Sequence, residues 1–215
     1  MRSDDVKKAM LMYAITDRHW LAGRTLEHDV EECLKGGATM LQLREKKLSA
    51  EDFLAEALVI RKLCAKYGVP FAVDDNVEVA KASHADCIHV GQTDMEAGHV
   101  RELVGDDMIL GVSAQTVEQA KLAVERGADY LGVGAVFATS TKDDADNVSH
   151  DTLREICDAV SVPVVAIGGI DESNISRLAG THIDGVSIIS GIFSRPDIMG
   201  TTKRLRELSE KMISK

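Results

Sequence analysis

RGADYLGVG, residues 126–134, sets a helix end, a short joint and a strand side by side. Gly127 closes a stretch with helical spacing, since glycine enters the left-handed conformation that ends helices. Ala128 and Asp129 form the joint, and Tyr130 opens an apolar run. The same order of parts recurs in GGATMLQLR (36–44), SHADCIHVG (83–91) and GTHIDGVSI (180–188). These segments lead into the second, fourth, sixth and eighth of eight short apolar runs, at 10–16, 40–45, 70–74, 87–91, 109–113, 130–137, 162–168 and 185–190. Two strand–helix pairs repeated four times are the trace that a closed eight-stranded barrel leaves in a sequence. An open doubly wound sheet is the alternative, and it loses ground because no GxGxxG follows the first run. The expected fold is therefore α/β, a TIM (β/α)8 barrel formed as one domain over residues 1–215.

Helical segments lie between the runs. Residues 49–68, SAEDFLAEALVIRKLCAKYG, open on Ser49 in a capping-box pattern and close on Gly68. TVEQAKLAVERGA (116–128) begins with Thr116 and reaches Gly127, and SEKMISK (209–215) closes a terminal helix.

The 215 residues suffice for one sizeable core, and 45% hydrophobic with 28% charged residues is ordinary for a soluble globular chain. A formal net charge of -10 argues against nucleic acid as a partner and requires any anion site to be built locally. Cys33, Cys64, Cys87 and Cys157 are scattered without a CxxC pair, so buried small hydrophobes in a reducing compartment are expected. The first ten residues show no signal-peptide core, and no run approaches the ~18 apolar residues of a membrane helix. The expectation is a cytoplasmic protein. A homodimer is the commonest oligomeric arrangement, and the residues leave the assembly open.

In such barrels the site occupies the C-terminal strand ends, and here those ends are polar or glycine-rich. Gln42, Arg44 and Lys46 alternate along the second strand and so share a face. Asp74 and Asp75 end the third, Gln92 and Asp94 follow the fourth, and Ser113 ends the fifth. The sixth runs into Thr139, Ser140, Thr141 and Lys142; Gly168 and Gly169 end the seventh, and Ser190 and Gly191 the eighth. Asp75 and Asp94 suit Mg²⁺, which takes one or two carboxylates plus waters and substrate phosphates. Arg44, Lys46 and Lys142 then meet the remaining oxygens of a diphosphate. Gly168, Gly169 and the loop after strand eight match a backbone phosphate site. Gly132 and Gly134 share an inward parity and leave room for a ring. Two anion sites, one with a metal, point to a reaction joining two phosphorylated molecules.

Each piece has a plainer reading. Arg44 with Glu45 or Asp75 is also a structural ion pair, Asp75 a helix N-cap, TSTKDDADN a solvated loop, and Gly168-Gly169 a tight turn. His89 reads as a satisfied core histidine rather than a catalyst. Convergence at one rim carries the functional reading.

QLREK (42–46), DD (74–75), HVGQTD (89–94), LGVSAQT (110–116), GADYLGVGAVFATSTK (127–142), AIGGI (166–170) and GVSIIS (185–190) together resemble the thiamine-phosphate synthase family, from about Tyr13 to Phe193. The resemblance implies a Mg²⁺-dependent transferase. It would join 4-amino-2-methyl-5-hydroxymethylpyrimidine diphosphate to 4-methyl-5-(2-phosphoethyl)thiazole, or its carboxylated form, releasing pyrophosphate by a dissociative, carbocation route. It further implies that the Gln42–Lys46 stretch, Leu43 and Glu45 included, binds the pyrimidine diphosphate with Asp74, Ser113 and Lys142. Arg44, Lys46, Ser113 and Lys142 would be catalytic, and Asp75 and Asp94 would hold the metal. Thr139 and Thr141, with Ser140 between them, would contact the thiazole phosphate together with Gly169, Ile189 and Ser190. The acidic run after Lys142 would belong to a loop that closes over the site and excludes water.

Two positions depart from the family pattern: Asp74 replaces the usual Asn before the metal-binding Asp, and Ala138 the usual Pro. SGIF (190–193) also occurs in the related thiazole tautomerase, an isomerase on the same fold. Such an isomerase has little use for Arg44, Lys46, Asp75 and Asp94, and a non-catalytic binding protein would not need them all. Asp74→Asn is expected to keep turnover within about tenfold, a barrier change of ~1.4 kcal/mol; a larger loss in steady-state assays would give Asp74 a role of its own.

Overall fold

The computed structural model describes residues 3–138 and 148–214. Among them the order is α1 (Ser3–Ala9), β1 (Met12–Ile15), α2 (Leu26–Lys35), β2 (Met40–Leu43), α3 (Ala50–Tyr67), β3 (Phe71–Asp74), α4 (Val77–Ala82), β4 (Cys87–Val90) and α5 (Ala97–Val104). There follow β5 (Ile109–Ala114), α6 (Val117–Glu125), β6 (Tyr130–Gly134), α7 (His150–Ala159), β7 (Val164–Ile167), β8 (Gly185–Ile188), α8 (Ser190–Phe193) and α9 (Ile198–Ile213). The eight parallel strands pair in chain order and close, β1 meeting β8 through Met12↔Val186 and Tyr13↔Ser187. The TIM barrel expected from the repeats is the fold, and every apolar run contributes its strand.

Strand alternation sorts side chains into two layers. Met12, Ala14, Leu41, Leu43, Phe71, Val73, Ile88, Leu110, Leu131 and Val186 pack outward in one cluster with the helices. Tyr13, Ile15, Met40, Ala72, Cys87, Ile109, Tyr130 and Val165 fill the barrel interior. Both faces are buried, which is why the strands read as near-continuous apolar runs rather than an alternation.

The helix ends follow their local chemistry. Ser49 Oγ accepts from the Asp52 N–H at 3.1 Å, and Gly68 ends α3 in the left-handed region at φ 67°. Thr116 Oγ1 caps α6 at 3.2 Å from the Gln119 nitrogen. α1 has no counterpart in the sequence reading; it brings Val6 and Ala9, with Met10 just after it, into the interior cluster. Between β7 and β8 the connection is a 3-10 turn, Ile175–Leu178, in place of an α-helix. Arg24 ties α8 to the first loop, donating to the Trp20 and Phe193 carbonyls and pairing with buried Asp29 at 2.7 Å. No helix among the described residues is long and apolar enough to cross a membrane. Cys33, Cys64 and Cys87 are buried free thiols, and Cys157 is half-buried.

Gly111 on β5 lies under the Tyr130 ring: a Cβ there would fall 2.1 Å from Tyr130 Cζ. A strand glycine often marks such close approach. Gly111→Ala should lower stability by ~1–3 kcal/mol through overpacking, read as a lower urea midpoint at an unchanged slope; an unmoved midpoint would mean that the ring yields freely.

Candidate active site

A cavity of about 340 Å³ opens at the C-terminal rim of the barrel. Gln42, Arg44, Lys46, Asp74, Asp75, Asp94 and Ser113 line it, joined by Tyr13, Ile15, His89, Gln92, Ile167 and Ser187. The polar strand ends therefore meet in one place.

β2 delivers its cations through local bonding. The Arg44 N–H donates to Thr16 Oγ1 at 3.0 Å, and the Thr16 N–H donates to the Gln42 carbonyl at 3.0 Å, so β1 holds β2 where it stops. Beyond that point Arg44 lies 3.7 Å from both Asp17 and Asp74, and the Lys46 ammonium lies 3.1 Å from Asp74 and also bonds Asp75. Burial pulls the Lys46 ammonium down, but Asp74 and Asp75 outweigh it and hold it above the ordinary lysine value. Asp17 was not among the sequence-derived candidates. Only the fold brings it beside Arg44.

The helix-cap reading of Asp75 does not hold. Asn76 is the N-cap of α4, its Oδ1 accepting from the Val79 N–H at 2.9 Å. Asp75 itself sits at φ 60° and donates its N–H to the His89 carbonyl, with its carboxyl in the cavity. Burial, the Asp74 charge and a hydrogen bond with the Asp94 carboxyl push Asp75 up to about 7, against the pull of Lys46. Asp94 accepts from the Gly91 N–H at 2.7 Å. Two carboxylates within hydrogen-bond reach of each other, offering oxygen donors only, suit a hard divalent cation that keeps waters and takes phosphate oxygens, with Lys46 beside Asp75. The residues present fit Mg²⁺.

Across the cavity His89 is half-buried and bonded on both ring nitrogens, to Tyr130 at 3.0 Å and Ser113 at 3.0 Å. It is satisfied, as its sequence context suggests, yet it borders the cavity rather than sitting in the core. Tyr13 and Tyr130 were missed by the sequence reading, although Tyr130 shares the inward parity of Gly132 and Gly134. Gly132 borders the cavity, and a Cβ there would crowd His89 Cε1 at 3.2 Å, so its bareness makes room for the His89 ring. Gly134 differs: its Cβ would fall 2.0 Å from the Ile167 carbonyl oxygen, so its bareness serves strand contact rather than a ring. Ser187 is 2% exposed, and its hydroxyl has no hydrogen-bond partner among the described residues.

A small cleft beside the main cavity is lined by Gly168, Gly169, Ser187, Ile189 and Ser190. Gly168 and Gly169 take φ 102° and 64°, and a Cβ on Gly169 would strike the Ala138 carbonyl oxygen at 2.4 Å. They make the tight turn, and that turn also borders the cleft. Leu43 is buried in the outer layer. The Glu45 side chain, 3% exposed, pairs with Arg18 at 2.8 Å beside Glu56 and does not line the cavity. For these two, backbone contact is the remaining route to a ligand. Thr139, Ser140, Thr141 and Lys142 lie outside the described residues, as does the acidic run after them.

Residues 12–192 match the family model described as thiamine monophosphate synthase. The chain belongs to that family. It is 46% identical over 194 residues to the thiamine-phosphate synthase of Clostridium tetani, covering 90% of this chain and 93% of that one. With the thiamine-phosphate synthase of Ruminiclostridium cellulolyticum it shares 46% identity over 197 residues, 92% and 94% of the two chains. The solved thiamine phosphate pyrophosphorylase from Pyrococcus furiosus superposes with a TM-score of 0.90 at 35% identity, covering 96% of this chain and 98% of that one. The match to the thiamine monophosphate synthase family thus spans every strand of the barrel and the cavity at its rim.

Burial and the neighbouring Glu56 push the Glu45 carboxyl up to about 7, against the pull of Arg18. The folded chain then holds this proton more tightly than the unfolded chain, so the Glu45 contribution to stability is full below the ordinary carboxylate range and is lost as pH rises towards 7. Relative to Glu45→Gln, the wild type should lose stability between about pH 4.5 and 7 and stay level above; parallel denaturation curves at pH 5 and pH 8 check this, and a pH-independent difference would refute it.

Proposed function

We propose that this protein is a thiamine-phosphate synthase, a transferase that joins the pyrimidinylmethyl group of a pyrimidine diphosphate to a thiazole phosphate and releases pyrophosphate. The observation that supports it most is the meeting of Gln42, Arg44, Lys46, Asp75, Asp94 and Ser113 around one cavity. The family's named activity needs two anion sites; Arg44 and Lys46 at the main cavity support one, and the Gly168-Gly169 turn with Ser190 beside it supports the other.

In this reading Gln42 holds the pyrimidine ring in the cavity, and Arg44 and Lys46 exchange their carboxylate partners for diphosphate oxygens. Asp75 and Asp94 would hold Mg²⁺, which would supply positive charge at the leaving group. Asp74 keeps Arg44 and Lys46 pointed inward before substrate arrives. Ser113 donates a hydrogen bond to the diphosphate, and Lys142 reaches the same oxygens. The task of the chain is positional and electrostatic: it stabilises charge that grows as the carbon–oxygen bond breaks. The thiazole phosphate is anchored by Gly169, Ile189 and Ser190 with Thr139 and Thr141, so that its ring nitrogen meets the pyrimidine-stabilised cation. Ile15 and Ile167 give that cation an apolar wall. No nucleophilic side chain or general base is required.

Purified protein given both phosphorylated substrates should release pyrophosphate only when Mg²⁺ is added. Arg44→Met and Lys46→Met should each lower kcat by more than about tenfold, as expected for a charge-assisted hydrogen bond of ~1.5–3 kcal/mol, with circular dichroism unchanged. Loss of folding in both variants would return these residues to a structural ion-pair role.

A further inference from the structure

Beneath the cavity, five side chains from five strands make one hydrogen-bonded chain. Gln42 Nε2 donates to Tyr13 Oη at 2.7 Å, Tyr13 Oη lies 2.9 Å from Tyr130 Oη, and Tyr130 Oη lies 3.0 Å from His89 Nδ1. His89 Nε2 then lies 3.0 Å from Ser113 Oγ. We propose that this chain runs in one direction, from Gln42 to Ser113, and fixes the Ser113 hydroxyl as a hydrogen-bond donor into the cavity, with Tyr13 and Tyr130 as positioning residues for the reaction.

The direction follows from counting protons. Each phenol has one proton to give, and a neutral imidazole donates from one nitrogen and accepts at the other. The Gln42 amide nitrogen faces Tyr13, so Tyr13 accepts there and gives its own proton to Tyr130. Tyr130 in turn donates to His89 Nδ1, which places the imidazole proton on Nε2. That N–H donates to Ser113 Oγ and leaves the Ser113 proton unspent, available to an anionic oxygen. Both tyrosines are fully buried, and burial lifts their phenols well above the ordinary value, so each keeps the proton that the relay requires.

The opposite direction has the opposite result. An amide oxygen facing Tyr13 would reverse every bond, move the imidazole proton to Nδ1 and turn the Ser113 proton towards His89. Ser113 would then present lone pairs to a diphosphate, which is repulsive. Gln42 is only 2% exposed and its amide nitrogen is engaged below, so the orientation of one buried group decides the polarity of another across the barrel. Gly111 supports the relay by leaving the place that the Tyr130 hydroxyl occupies; a Cβ there would lie 2.3 Å from that oxygen.

This inference rests on the synthase reading for its consequence, but its first test needs no turnover. With 15N-labelled histidine, the His89 ring signals, assigned by their loss in His89→Gln, should report the tautomer protonated at Nε2 in the ligand-free wild type. The tautomer protonated at Nδ1 would overturn the proposal. The second test is a cycle on pyrophosphate release. Tyr130→Phe keeps ring volume and should lower kcat by about three- to tenfold, the range of one neutral hydrogen bond, while changing nothing in a Ser113→Ala background. An equal loss in both backgrounds would mean that Tyr130 acts only through packing. Tyr13→Phe repeats the cycle if Tyr130→Phe is poorly folded, and the tautomer decides if Ser113→Ala is too slow to measure. A wild type that releases no pyrophosphate sinks the synthase reading and leaves the tautomer result standing.

Discussion

Closure of eight parallel strands gives every strand one inward parity, and that constraint governs what the C-terminal rim can hold. Each strand sends alternate side chains into the interior, and the last inward position before the loop becomes a wall of the cavity. Gln42, Asp74, His89 and Ser113 all occupy such positions, on four consecutive strands, β2 to β5. Their convergence needs no special loop. It follows from register, as in Asp74↔His89 between β3 and β4.

Charge then divides the rim. In a chain of formal net charge -10, the described residues of the cavity set two cations just past β2 against three carboxylates, at the end of β3, just past it and in the loop after β4. Lys46 is held between Asp74 and Asp75, and Arg44 between Asp17 and Asp74. Such pairs are partly desolvated, so their worth lies less in stability than in holding long side chains at the cavity. The far wall is built differently, from Tyr13, Tyr130, His89 and Ser113 joined by hydrogen bonds.

The structure also separates residues that adjoin in sequence. Within Gln42–Lys46, the inward residues enter the cavity while Leu43 packs under the helices and Glu45 joins Arg18 outside the rim. A five-residue motif is thus two faces interleaved, one lining the cavity and one anchoring the strand end.

Local chemistry in the amino-acid sequence was enough for the strand–helix alternation, the helix caps at Ser49, Gly68 and Thr116, the barrel, and Arg44 and Lys46 at its rim, because these depend on period, caps and turn residues. It was also enough to place Asp75 and Asp94 at neighbouring strand ends. What it could not decide were relations between distant residues: Asp17 beside Arg44, Tyr13 against Tyr130, Gly111 under that ring, and Gly134 against Ile167. His89 shares its strand parity with Gly91 and reads in sequence as a satisfied core histidine, and only barrel closure sets Tyr130 at one of its nitrogens and Ser113 at the other. Side-chain partners across a barrel depend on strand stagger and ring orientation, which residue order does not encode locally and which the packed fold alone decides.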